Sequence, residues 1–240
     1  MNKTKKQYQD QQLQKTPFSG SRFVPMLFST DMVQAILNGT KTETRRIVKF
    51  KEVYTYTVDG KFKEPTIQKL DNLQKLKVDV GDIIWVRETF SNELWTLDVN
   101  FYEEIKTIYK ASDYKKTLHD MNCDHTNFIK WKPSLFMPKD ACRLFLKCTS
   151  LRVQRLQDID EQSSINEGIQ NLSADEYNVN LFRNYLRSDN EINYKDFTTT
   201  NPIFSYQTLW QKINGKDSWD LNPYVFVYKF ERIERPHDFR

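Results

Sequence analysis

Glycine is scarce, six residues in a chain of 240. That leaves little for a backbone loop cradling phosphates, and the sequence holds no Walker-type run, no GxGxxG, no HExxH and no GxSxG. Cysteine is scarcer still. Cys123, Cys142 and Cys148 are too few for a disulfide scaffold and form no CxxC pair, which fits a reducing compartment. No apolar run approaches the ~20 residues of a membrane span, and the N-terminus lacks the apolar stretch of a signal peptide. A cytoplasmic protein without membrane contact is therefore expected. His119, Cys123 and His125, beside Asp120 and Asp124, are metal-ligand types, but their spacing fits no standard zinc site. Neither a metal nor a cofactor is expected.

What the chain has instead is aromatic bulk. Sixteen Phe, twelve Tyr and five Trp offset a mean hydropathy of −0.72 and supply enough apolar surface to close a core. The formal charge of +4 belongs to one end. Lys3, Lys5, Lys6, Lys15 and Arg22 stand against Asp10 within residues 1–22, and the remainder is balanced. Residues 1–22 read as a flexible basic tail or a solubilising leader. Residues 23–240 read as one domain with insertions near 50–78, 92–130 and 170–200.

Phe23 to Ser29 reads as a strand, followed by an N-cap at Thr30 and a short helix that Asn38-Gly39 ends. Val53 to Phe62 alternates around Asp59-Gly60 as a hairpin would. Ile83 to Glu88 is dense enough for a buried strand, Thr107 to Ser112 reads as another, and Arg143 to Arg155 keeps a two-residue period. Asp158-Ile159-Asp160 opens a short helix that ends at Gly168, placing Glu167 on its last turn. Asn201-Pro202 starts a firmer helix with Ile203, Tyr206, Trp210 and Ile213 on one face. Tyr224 to Glu234 closes the chain as a strand apolar on both faces. Strands outnumber short helices and no strand–helix alternation sustains a parallel sheet, so the fold class is α+β, built on a small mixed β-barrel.

The densest basic stretch runs from Lys41 to Lys51, five cations against Glu43. A cation just after a helix is stabilised without any ligand, and threonines suit a strand. Composition alone thus leaves the run open between a site and a solvated edge.

Four stretches sharpen the reading: Ile36-Leu37-Asn38-Gly39 with Lys41-Thr42-Glu43-Thr44-Arg45; Gly81-Asp82 with Trp85-Val86-Arg87-Glu88; Trp131-Lys132-Pro133-Ser134 with Met137-Pro138; and Leu156-Gln157-Asp158-Ile159 running to Asn166-Glu167-Gly168. In these the chain resembles the activating-signal-cointegrator homology (ASCH) family, similar in fold to PUA RNA-binding domains, and in particular a longer prophage-encoded subgroup. The resemblance implies a PUA-like barrel whose pocket takes a nucleobase-containing ligand, a modified nucleoside or RNA. Small bacterial amidohydrolases of the family deacetylate N4-acetylcytidine with a Lys, a Thr and a Glu, which match Lys41, Thr44 and Glu167. Thr42, Arg45, Arg46, Trp85, Arg87 and Glu88 are implied to bind ligand.

The chemistry is coherent: a hydroxyl nucleophile, a base and a charge partner to orient the base. To serve as that base Lys41 would have to fall from about 10.4 to roughly 8. Residues 41 and 44 would face opposite sides of a regular strand, so both meet one substrate only if the segment turns. The alternatives are a non-catalytic RNA- or DNA-binding module and a phage-derived interaction protein. Oligomeric state is not legible.

Overall fold

The computed structural model describes residues 21–48, 78–92, 107–112, 129–172, 180–187 and 198–240. Residues 1–20 of the tail, the 53–62 hairpin and the His119–His125 group lie outside the described residues, whereas Arg22, read as part of the flexible tail, is anchored to the folded part by its ion pair with Asp82.

Strand β1 (Phe23–Leu27) leads into α1 (Thr30–Leu37). The cap is Ser29 rather than Thr30: its Oγ accepts from the Met32 N–H, so the helix begins one residue earlier than its sequence suggests. After Gly39, at φ +76°, the N–H groups of Thr40 and Lys41 both donate to the Ala35 carbonyl and turn the chain into β2 (Glu43–Ile47). Strand β3 (Ile83–Arg87) follows. Two-residue strands β4 (Phe90–Ser91) and β5 (Ile108–Tyr109) pair beside it, the second much shorter than its sequence run. Strand β6 (Phe145–Arg155) is long and carries an irregularity between Cys148 and Ser150. Helix α2 (Glu161–Asn166) is capped by Asp160, whose carboxylate accepts from the Ser163 N–H. Strands β7 (Phe182–Arg183) and β8 (Thr198–Thr199) pair, and α3 (Pro202–Asn214) then begins with the Asn201 side chain accepting from two backbone N–H groups. Strand β9 (Tyr224–Ile233) is last.

Five strands make one sheet in the order β1-β3-β6-β9-β2, parallel at β1/β3 and antiparallel elsewhere. The fold is thus mixed α+β with more strand elements than helices. Among the described residues the sheet ends at β1 and β2, which do not pair with each other. The two free edges nevertheless approach: residues of both line one cleft of about 460 Å³, and Arg46 Nη2 on β2 donates to the Leu27 carbonyl on β1, 2.8 Å away.

Strand β9 organises the packing because its two faces serve two cores, as its doubly apolar sequence demands. Phe226, Tyr228 and Phe230 join Phe28, Ile84, Leu146 and Leu151 inside the curved sheet. Val225 and Val227 face outward to Tyr206, Trp210 and Trp219. Phe182 and Tyr185 belong to that second core, so part of the 170–200 stretch, which reads as a surface insertion, is a packing element. Scattered aromatics without a period hide this in the sequence. Ile213, periodic with the buried face of α3, is 52% exposed.

Candidate functional site

Cross-strand partners share a face, so the β2/β9 register sorts the basic run. Arg45 lies opposite Val227 and belongs to the outer face covered by α2 and α3, whereas Thr44 lies opposite Tyr228 and Arg46 opposite Phe226, on the inner face. The side chains agree: the Arg45 guanidinium sits 5.7 Å from the Tyr206 ring centre, and that of Arg46 sits 5.2 Å from Phe28.

Lys41 precedes the strand and is 2% exposed. It pairs with Glu167 as an isolated antiparallel bridge, and the Thr42 N–H donates to the Asn166 carbonyl. The α2 C-terminus is thereby fastened to the start of β2. Lys41 Nζ donates to the Glu167 carboxylate Oε2 at 2.7 Å, to the Glu167 carbonyl at 2.8 Å and to the Glu43 carbonyl at 2.8 Å. The other carboxylate oxygen of Glu167 accepts from Arg45 Nη1 at 2.9 Å. Glu43, also buried, lies 3.5 Å from Arg45 and 3.2 Å from Arg152. Burial pushes the Lys41 ammonium below its ordinary value; Glu167 opposes that, and Arg46 and Arg45 add to it. Burial likewise lowers the Arg46 guanidinium, against the pull of Glu167, and drives the Tyr206 phenol well above the usual range.

Close approach here depends on one glycine. Gly168 has φ +79°, and a Cβ built on it would lie 2.8 Å from both Ala35 Cβ and Lys41 Cβ.

Thr44, Arg45, Arg46 and Glu167 line a recess of about 70 Å³, whose far wall is Tyr206 and Trp210 of α3. Lys41 stands behind Glu167 and is not among its lining residues. The recess shares Arg46, Ile47 and Asn214 with the larger cleft between β1 and β2. Arg87 lines that cleft, donating from Nη2 to the Leu135 carbonyl and lying over the Trp85 ring at 5.4 Å.

Of the residues singled out in the sequence, the structure gathers Lys41, Thr44, Arg45, Arg46 and Glu167 at the recess, and places Arg87 at the cleft. Thr42 serves the backbone bridge to α2. Trp85 packs in a third cluster with Phe90, Met137, Phe145 and Phe239. Glu88 is fully buried and held by Arg143 through two bonds of 2.8 and 2.9 Å; neither residue lines the recess or the cleft. Sequence reasoning missed Tyr206 and Trp210 as site residues, although their spacing on one face of α3 marks them as buried. It also took the 41–51 run as a patch, whereas Lys41 and Arg45 are buried in ion pairs; Lys49 and Lys51 lie outside the described residues.

No protein-family model, curated protein or solved structure matches the chain.

Proposed function

We propose that this chain is a PUA-like protein of the ASCH type that binds a nucleobase-containing ligand in the cleft between β1 and β2. In this reading the ligand's polar end reaches the recess, where an N4-acylcytidine-type amide is hydrolysed. The observation that supports it most is the meeting of Thr44, Arg45 and Glu167 at one recess, with Lys41 bonded behind Glu167. The cleft lies within the range of about 300 to 1,000 Å³ common for small-molecule sites, and Phe226, Tyr228 and Met26 offer apolar walls.

Hydrolysis runs in two balanced halves. The Thr44 hydroxyl adds to the acyl carbon as its proton passes to the Lys41–Glu167 pair, and Arg45 stabilises the oxyanion. Collapse breaks the bond between the acyl carbon and N4, the same proton goes to N4, and cytidine leaves. Water then cleaves the Thr44 ester, releasing the carboxylate and restoring the hydroxyl. Lys41 holds Glu167 in place through two of its bonds, to the carboxylate and to the carbonyl of that residue, and the third ties it to the Glu43 carbonyl.

Purified protein incubated with N4-acetylcytidine is expected to release cytidine and acetate, and Thr44→Val and Glu167→Gln to lose at least a hundredfold in kcat/KM. Absence of turnover removes the enzymatic half. The polymer-binding alternative has lost two of its five cations to buried pairs. Binding of single-stranded RNA with a slope of log K on log salt near −3, roughly −0.7 for each of about four phosphate contacts, would restore it.

A further inference from the structure

The walls of the recess are unbalanced in hydrogen bonding. Arg45 Nε and Nη2, Arg46 Nε and Trp210 Nε1 are buried nitrogens without a hydrogen-bond partner among the described residues, and all three side chains line the recess. Every one of these groups is a donor. Both carboxylate oxygens of Glu167, the one acidic residue lining the recess, are engaged by Lys41 and Arg45. Charge is unbalanced in the same sense. Lys41, Arg45, Arg46 and Arg152 gather around two carboxylates, Glu43 and Glu167. Buried donors and cations left unmatched are costly, and a bound acceptor relieves both costs.

We propose that the recess is a binding site for a compact oxyanion, gripped by Arg45, Arg46 and the indole N–H of Trp210. A recess of about 70 Å³ has room for a carboxylate or phosphate head, since one water needs only about 10 to 15 Å³ of such space. Arg45 and Arg46 offer planar guanidinium groups suited to two-oxygen acceptors. The adjoining cleft, sharing Arg46, Ile47 and Asn214, leaves room for whatever carries the anion. The inference stands apart from hydrolysis: a carboxylate source would be the acyl product, whereas a phosphate source would make the natural ligand a nucleotide.

The test is calorimetric titration of the full chain with acetate and, separately, inorganic phosphate, at constant ionic strength in chloride. Saturable one-to-one binding of at least one is expected, weakened about tenfold, near the loss of one charge-assisted bond, in Trp210→Phe. Should that variant not fold, Arg46→Gln carries the same readout. Acetate binding alone assigns the recess to an acyl group, and phosphate binding alone assigns it to a nucleotide. Binding of neither anion, or binding unchanged in the folded variant, overturns the proposal. Anion binding without acetylcytidine turnover leaves this inference intact and removes the hydrolytic reading; turnover without anion binding does the reverse.

Discussion

Lys41 Nζ lies 2.7 Å from Glu167 Oε2, although the two residues are 126 positions apart in the chain, and they are also joined as a backbone bridge. Side-chain and main-chain contacts thus fix the same point, where the end of α2 meets the start of β2. An ion pair so thoroughly buried contributes less to net stability than its distance suggests, because both charges were taken from water. Breaking one side of it is another matter.

Lys41→Met leaves the Glu167 carboxylate buried with Arg45 as its remaining partner and deprives the Glu43 carbonyl of a donor. Urea unfolding at pH 7 should show a loss of about 3 to 5 kcal/mol. A loss below about 1 kcal/mol would mean that the pair is hydrated and the recess open.

Gly168→Ala forces a side chain into a left-handed backbone position and against Lys41 and Ala35. Overpacking and the conformational cost together should destabilise by about 2 to 4 kcal/mol. If the recess is the functional site, ligand affinity should fall as well, since Lys41 is the atom group displaced. Thermal unfolding and a binding titration on the same variant check both.

Cys142 supplies a pH signature. Burial raises its thiol from 9.0 to about 11. The unfolded thiol therefore ionises first, so the stability this group contributes is intact below pH 9 and is lost as pH rises towards 11. At about 1.36 kcal/mol per pH unit the loss amounts to roughly 2 to 3 kcal/mol. Cys142→Ala should flatten the stability profile across that window. An unchanged slope would place the thiol in contact with water.

Asp82 gives the opposite sign at the acid end. Burial alone would raise its carboxyl, but Arg22, through side-chain and backbone N–H, and the Asp79 N–H hold it below its ordinary 3.8. Its contribution is present above that value and disappears as pH falls through the lower folded one. Asp82→Asn is expected to cost about 1 to 3 kcal/mol at pH 7 and to reduce the steepness of acid unfolding below about pH 4, followed by circular dichroism.

Much of the architecture was written locally. The doubly apolar strand at the C-terminus, the long β6 and the Asn201-Pro202 helix start follow from period and cap chemistry, which depend on near neighbours alone. The shortness of β5 does not, because a strand's length is set by the partner it finds. Phe182 and Tyr185 read as surface aromatics since nothing within their own segment reveals the second core that receives them.

The candidate site divides in the same way. Residue types and spacing left the basic run open, and it was the family resemblance of that run and of the glutamate before Gly168 that singled out Lys41, Thr44, Arg45, Arg46 and Glu167. Only the folded sheet decided which of them are buried in pairs and which line a recess, that Trp85 and Glu88 turn elsewhere, and that Trp210 brings an unpartnered N–H to the wall. Burial and hydrogen-bond partnership are relations between distant segments, and strand register, which sets those relations, is fixed by pairing across the sheet and not by any one stretch of sequence.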